Sequence, residues 1–148
     1  MKRFVYSPAF PKFKKPPHID PLQTLDDYFS LFIRIRDADE HGLCRCITCP
    51  AVHHWKGMDC GHFITRNHKG VRFDPRNAHA QCSSCNFHKK GEQAKHARAI
   101  DLLYGKGTAQ LLENLGAARG TKLTTEWLEY YIKIYREKVK ALRKGKGL

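Results

Sequence analysis

Acidic residues are scarce in this chain: 14 Asp and Glu stand against 27 Lys and Arg over 148 residues, leaving a net charge of +13. So strong an excess points to a polyanionic partner, with DNA first, although the same charge also serves solubility. Missing too is any apolar run near the ~18 residues that a membrane span needs, so no membrane partner is expected. The start, "MKRFVYSPAFPKFKKPPH", is basic but carries no apolar core, which argues against a secretion signal and makes the cytoplasm the expected compartment. There is no internal repeat, and the length suits one compact domain or a small domain with attached helices.

The charge is unevenly distributed. Residues 1–19 hold five positive charges and no negative one, and with their prolines they read as a flexible basic arm. Residues 20–42 hold six negative against two positive, and then the balance turns positive to the end. "HIDPLQTLDDYFSLFIRIRDADEHG" reads as a helix capped by Asp20, with Pro21 in its first turn and Gly42 at its end. Leu22, Leu25, Phe29, Phe32 and Ile33 give it an apolar stripe beside an acidic, solvated face. Short strands are expected at "MDCGHFI" and "VRFD", with "TRNHKG" as the loop between them. A helix starts at Glu92 and stops at Gly105, and "TAQLLENLG" makes another. A last helix begins at Thr124 or Thr125, with Leu128, Tyr131, Tyr135, Val139 and Leu142 as its stripe and a frayed basic tail. The expectation is an α+β fold: a core domain at 20–105 and a helical extension at 106–148.

Cysteine, by contrast, is plentiful. In a reducing compartment six cysteines favour metal binding over disulfides, although a secreted chain could form three bridges from them. "CITC" supplies Cys46 and Cys49, and "CSSC" supplies Cys82 and Cys85. Two such pairs close a tetrahedral thiolate site of the kind zinc favours, with the segment between them as a loop. Cys44 is an alternative to Cys46 at poorer spacing, and Cys60 reads as a small buried residue. A closed four-cysteine site has no open coordination position, so any chemistry must sit beside it.

The order "CGH" (His62), "RN" (Asn77), "CSSCN" (Asn86) within this framework resembles the ββα-metal nucleases known as HNH. The cysteine spacing is similar to that of endonuclease VII-like junction resolvases. "DCGHFITR", "VRFDPRNAHAQCSSCN" and the following "KKG" resemble phage recombination endonucleases of the NinG/Rap type, over about residues 20–105. The resemblance implies a zinc-stabilised ββα-metal core flanked by N- and C-terminal helices, acting on branched DNA such as four-way (Holliday) junctions or D-loops. His62 suits a general base because imidazole titrates near neutrality. Asn86 offers an amide oxygen to a catalytic magnesium or manganese ion. Asn77, by the resemblance, braces the loop that orients His62. Gly61 stands where endonuclease VII-like enzymes carry a metal-binding aspartate, so Asp59 becomes the second ligand if a bulge at Gly61 brings it into reach, with His79 a weaker substitute. Arg66, Arg72, Arg76, Lys89 and Lys90 are expected to meet phosphates. Symmetric junction cutting implies a homodimer, and recombination proteins are further candidate partners. The stripes of the first and last helices are candidate seams, although such a stripe more often forms intramolecular core. Taken singly, Asn86 could be a helix cap, Asn77 a turn residue and His62 an ordinary histidine. The competing functions are a nuclease that nicks ordinary duplex and a non-catalytic zinc module that binds DNA.

Overall fold

A computed structural model describes residues 20–148, and the expected arm at 1–19 lies outside them. Helix α1 spans Pro21–Arg36, and its start follows the sequence: the Asp20 carboxylate accepts from the Leu22 N–H at 2.9 Å. Its end comes before Gly42. Asp37 leaves the helix to accept from the Ala80 N–H at 2.7 Å, and Asp39 accepts from the Leu43 N–H at 2.9 Å. A hairpin unanticipated by the sequence analysis follows, with β1 at Leu43–Arg45 antiparallel to β2 at Val52–His54. After a 3-10 turn at Trp55–Gly57, β3 at Asp59–His62 pairs antiparallel with β4 at Ala78–Gln81.

The second strand therefore lies later than expected. "VRFD" is a run of turns, in which Val71, Asp74 and Asn77 N–H groups donate to the carbonyls of His68, Val71 and Asp74 at 3.2, 3.1 and 2.9 Å. Val71 and Phe73 are both buried, but in two different apolar clusters, so their alternation arises without a sheet. Nor is there a bulge at Gly61: the register runs unbroken from Asp59 opposite Gln81 to His62 opposite Ala78. A Cβ on Gly61 would stand 2.2 Å from Gln81 Oε1, because the Gln81 side chain fills that space.

A single π-helical turn at Ser84–His88 leads to α2 (Gln93–Tyr104), α3 (Thr108–Ala117) and α4 (Thr125–Lys146). The fold is α+β. Helix α4 lies along α1, and Leu128, Ile132 and Tyr135 share a core with Leu25, Phe29 and Ile33. The two stripes thus bury each other as intramolecular core, so neither is left free as a dimer seam. No helix among the described residues is long and apolar enough to cross a membrane.

The basic tail is not frayed. Helix α4 continues to Lys146, whose ammonium donates to the carbonyls of Ile35 at 2.9 Å and Arg36 at 3.0 Å, and also to that of Ala38. It brings a charged donor to carbonyls at and just past the end of α1, of which that of Ile35 also accepts from the Ala38 N–H at 3.3 Å. Lys146→Ala should lower the unfolding free energy by about 2 kcal/mol, as measured by denaturant titration.

Candidate metal centre and adjoining cleft

The turn after β1 carries Cys46 and Cys49, and the end of β4 delivers Cys82 and Cys85. Their four sulfurs lie within 4.8 Å of one another, and Cys49 Sγ stands 3.7 Å from Cys82 Sγ. Zinc–sulfur bonds of about 2.3 Å in a tetrahedron give sulfur–sulfur edges of about 3.8 Å, so the donor set fits a structural zinc. All six cysteines are free thiols. Cys44 is not a ligand, since its thiol donates to the Arg34 carbonyl at 3.2 Å inside the core. Cys60 lines the cleft described below, and burial pushes its thiol up to about 12.

The cluster is supported from behind. The Thr48 hydroxyl sits 3.5 Å from Cys46 Sγ, the Cys82 N–H donates to the same sulfur at 3.3 Å, and Gln81 Nε2 donates to Thr48 Oγ1 at 2.9 Å. Burial raises the Cys46 thiol, but these donors outweigh it and bring the group down to about 7, favouring the thiolate. Gln81 Nε2 also donates to the Gly91 carbonyl at 3.0 Å, which ties the cluster to the turn that follows it. In that turn Lys90 and Glu92 adopt left-handed backbone, with φ of 51° and 49°, a strained choice for residues with a Cβ.

Beside the cluster opens a cleft of about 680 Å³, into which β3 presents its unpaired edge. Asp59, His62 and Asn86 all line it. Asn86 does not cap a helix: its Nδ2 donates to Asp59 Oδ2 at 3.1 Å, so the amide and the carboxylate are in contact without a bulge. The π-turn supplies this placement, a local geometry common where a side chain must be re-aimed.

His62 is held by its Nε2, which donates to the Arg72 carbonyl at 3.0 Å. A carbonyl only accepts, so the neutral ring carries its proton on Nε2 and leaves Nδ1 with a free lone pair. Burial pushes the imidazole below its ordinary 6.5; the Arg72 carbonyl opposes that shift and the Arg66 charge reinforces it. Asn77 is fully buried and staples the loop: its Oδ1 accepts from Ile64 N–H at 2.8 Å, and its Nδ2 donates to the carbonyls of Ile64 at 2.9 Å and Val71 at 3.0 Å. The Val71 anchor immediately precedes the Arg72 carbonyl that holds His62.

Sequence reasoning missed Asp26, which it assigned to the solvated acidic face. Asp26 is buried and grips the Arg72 guanidinium through both oxygens, with Arg72 Nε 3.0 Å from Oδ1. Its helical phase beside Leu25 and Phe29 was the available signal. Arg72 is therefore not free to meet phosphate, and Arg76 is likewise engaged by Asp74, at 2.7 Å. Lys89 pairs with Glu92 at 3.7 Å and lines a separate groove beside Cys49 and Cys85. Of the five expected cations, Arg66 and Lys90 line the cleft, joined there by Arg34 and Lys56; Arg66 also lies 3.9 Å from Asp26 Oδ2 but keeps 58% of its side chain exposed. His79 cannot substitute as a ligand beside Asn86. It is buried, with Nδ1 3.2 Å from His96 Nε2 and Nε2 3.1 Å from the Tyr104 hydroxyl.

The fold and site define a small α+β protein organised by a four-cysteine cluster with an open polar cleft at its side. The chain belongs to the family described as Bacteriophage Lambda NinG protein, whose model matches residues 12–145. It is 33% identical over 117 residues to Protein ninG of Salmonella phage P22, covering 78% of this chain and 54% of that relative. Protein ninG of Escherichia phage 933W and that of Enterobacteria phage VT2-Sa are each 31% identical over 117 residues, 78% of this chain and 55% of theirs. The chain thus spans about half the length of the curated relatives it matches. No solved structure gives a significant match.

Two outcomes test the site's construction. Thr48→Val should weaken zinc affinity by about 10- to 100-fold in a competition titration against a chromogenic chelator, and Cys82→Ser should abolish stoichiometric binding. Asp26→Asn strips the partner from a guanidinium only 15% exposed. It should lower stability by about 3 kcal/mol in denaturant titration, and Arg72→Lys should fail to mimic the native pair because the two-pronged contact is lost.

Proposed function

We propose that this protein is a metal-dependent DNA endonuclease in which β3, β4 and the π-turn form an HNH-like ββα-metal core beside a structural zinc. The observation that carries this reading is the convergence, in one open cleft, of a histidine whose Nε2 is tied to a carbonyl and a hydrogen-bonded Asp59–Asn86 pair that carries carboxylate and amide oxygens. Magnesium or manganese, held by Asp59 and Asn86, would supply positive charge to the departing oxygen of a cleaved phosphodiester.

The chain's own residues account for the remaining chemistry. His62 Nδ1 takes a proton from the attacking water, and the Arg72 carbonyl stabilises the imidazolium by accepting from Nε2. Asn77 and Asp26 position that carbonyl, from the loop and from α1 respectively. Arg66, Lys56 and Lys90 bind phosphates on either side of the scissile bond. The substrate class is branched recombination DNA, such as four-way junctions or D-loops. This choice follows the family resemblance and not the cleft alone. Paired cuts on opposed strands call for two chains, and recombination proteins are natural partners.

The test is incubation of the protein and of His62→Ala with magnesium and two labelled DNAs, a four-way junction and a matched linear duplex. Cutting of the junction by the wild type alone is expected. Equal cutting of both DNAs removes the branched preference, and binding without cutting under magnesium or manganese makes the protein a zinc-dependent binding module. Because the base must be neutral and burial lowers its pKa, activity should be lost only on acidification. The midpoint should lie under the ordinary imidazole value; an acid limb centred above it contradicts His62 as base.

A further inference from the structure

Phe87 directly follows Asn86 on the π-turn, and 78% of its surface is exposed. It stands on the lip of the cleft that holds Asp59, His62 and Asn86. Among the described residues the other exposed aromatics, Tyr130 and Tyr104, show 60% and 41%, and neither lines this cleft. A phenyl ring left in water at the mouth of a cationic cleft is unfavourable for the free protein, and the fold offers it no apolar neighbour to cover it; its nearest ring is His88, with centroids 6.2 Å apart.

We propose that Phe87 is the branch-reading residue of the enzyme, a stacking surface for a base that has lost a neighbour at a junction or strand end. This rests on the nuclease reading above. The step from Asn86 to Phe87 is one peptide unit, about 3.8 Å between Cα atoms. A phosphate held at Asn86 therefore brings the base of its own or the next nucleotide to the ring, while Lys90 and Arg66 hold the backbone to either side. In an intact duplex that base is already stacked on both faces, and reaching Phe87 requires opening the stack at a cost. At a branch point one face is open, and the ring covers it without regard to sequence, since every base has a π-face. The preference for branched DNA then comes from a side chain beside the metal ligands, while the ionic contacts serve any DNA.

The experiment compares wild type, Phe87→Ala and Phe87→Trp for binding to a four-way junction and to a matched duplex, in buffer with neither added magnesium or manganese nor a chelator, so that no strand is cut and the structural zinc stays bound. The junction carries 2-aminopurine at each branch-point position in turn. Phe87→Ala should weaken junction binding by about 5- to 100-fold with little change on duplex, and the fluorescence change at one branch-point base should disappear. Phe87→Trp should keep both. Because the ring is exposed, unchanged zinc content and melting temperature in Phe87→Ala exclude a folding explanation. Equal weakening on both DNAs, or none, overturns the proposal. Cutting assays on the same variants separate the two ideas. A wild type that cuts the junction with a preference Phe87→Ala retains leaves the nuclease standing without this role. Ring-dependent junction binding with no cutting leaves the role standing without the nuclease.

Discussion

Four thiolates crowded within 4.8 Å repel one another unless a cation lies among them, and neutralising that repulsion is the constraint on which the rest of this structure depends. The pairs Cys46–Cys49 and Cys82–Cys85 come from opposite ends of the segment that contains β2, β3 and the His62 loop. Closing that loop fixes where β4 ends and therefore where the π-turn begins. Asn86 is one residue beyond Cys85, so the cluster fixes its backbone, and the hydrogen bond to Asp59 fixes its amide. The Gln81 side chain extends the same control: it bridges Thr48 behind Cys46 to the Gly91 carbonyl, and its bulk over Gly61 explains why that position has no side chain.

A second support comes from outside the cysteine framework. Helix α1 is held by α4 along an apolar seam and at its carboxyl end by the Lys146 ammonium. From this fixed helix Asp26 reaches Arg72, and Arg36 donates to the carbonyls of Pro75 and Ala78 at 2.7 and 2.9 Å. The loop that orients His62 is thus pinned by Asn77 from within and by α1 from without. A helix that reads as a flanking element is part of the machinery that sets the histidine's tautomer.

These two supports meet at the cleft, and their separation makes chemical sense. The cysteine cluster positions hard oxygen donors, whereas the α1–Arg72 contact positions the imidazole. Under the proposed chemistry the metal ligands and the base are therefore built by different parts of the fold and can fail independently. The cations follow the same division. Arg72 and Arg76 are neutralised locally and serve structure, while Lys56 and Lys90 line the open space and Arg66, at the edge of the same Asp26 carboxylate, stays mostly exposed to it.

The α+β class, the four thiolates, the helix starts at Asp20 and Thr124, and the grouping of Asp59, His62 and Asn86 were legible in the sequence. Each depends on chemistry local to a few residues: chelate spacing, a capping carboxylate, a short ordered motif. What was misread depends on partners distant in sequence. "VRFD" alternates like a strand, yet its burial is divided between two clusters and its backbone forms no ladder with β3, which pairs with β4 instead. Asp26 and Asp27 are neighbours on an acidic stretch, and only the approach of Arg72, 46 residues away, makes one of them a buried anchor. The basic tail looked frayed because its ligands are carbonyls more than 100 residues earlier. By itself the sequence determined which side chains carry atoms suited to a metal, a proton or a phosphate. The tertiary structure alone decided which of those atoms are free to act, because a charge or a lone pair is available only when no distant part of the chain has already satisfied it.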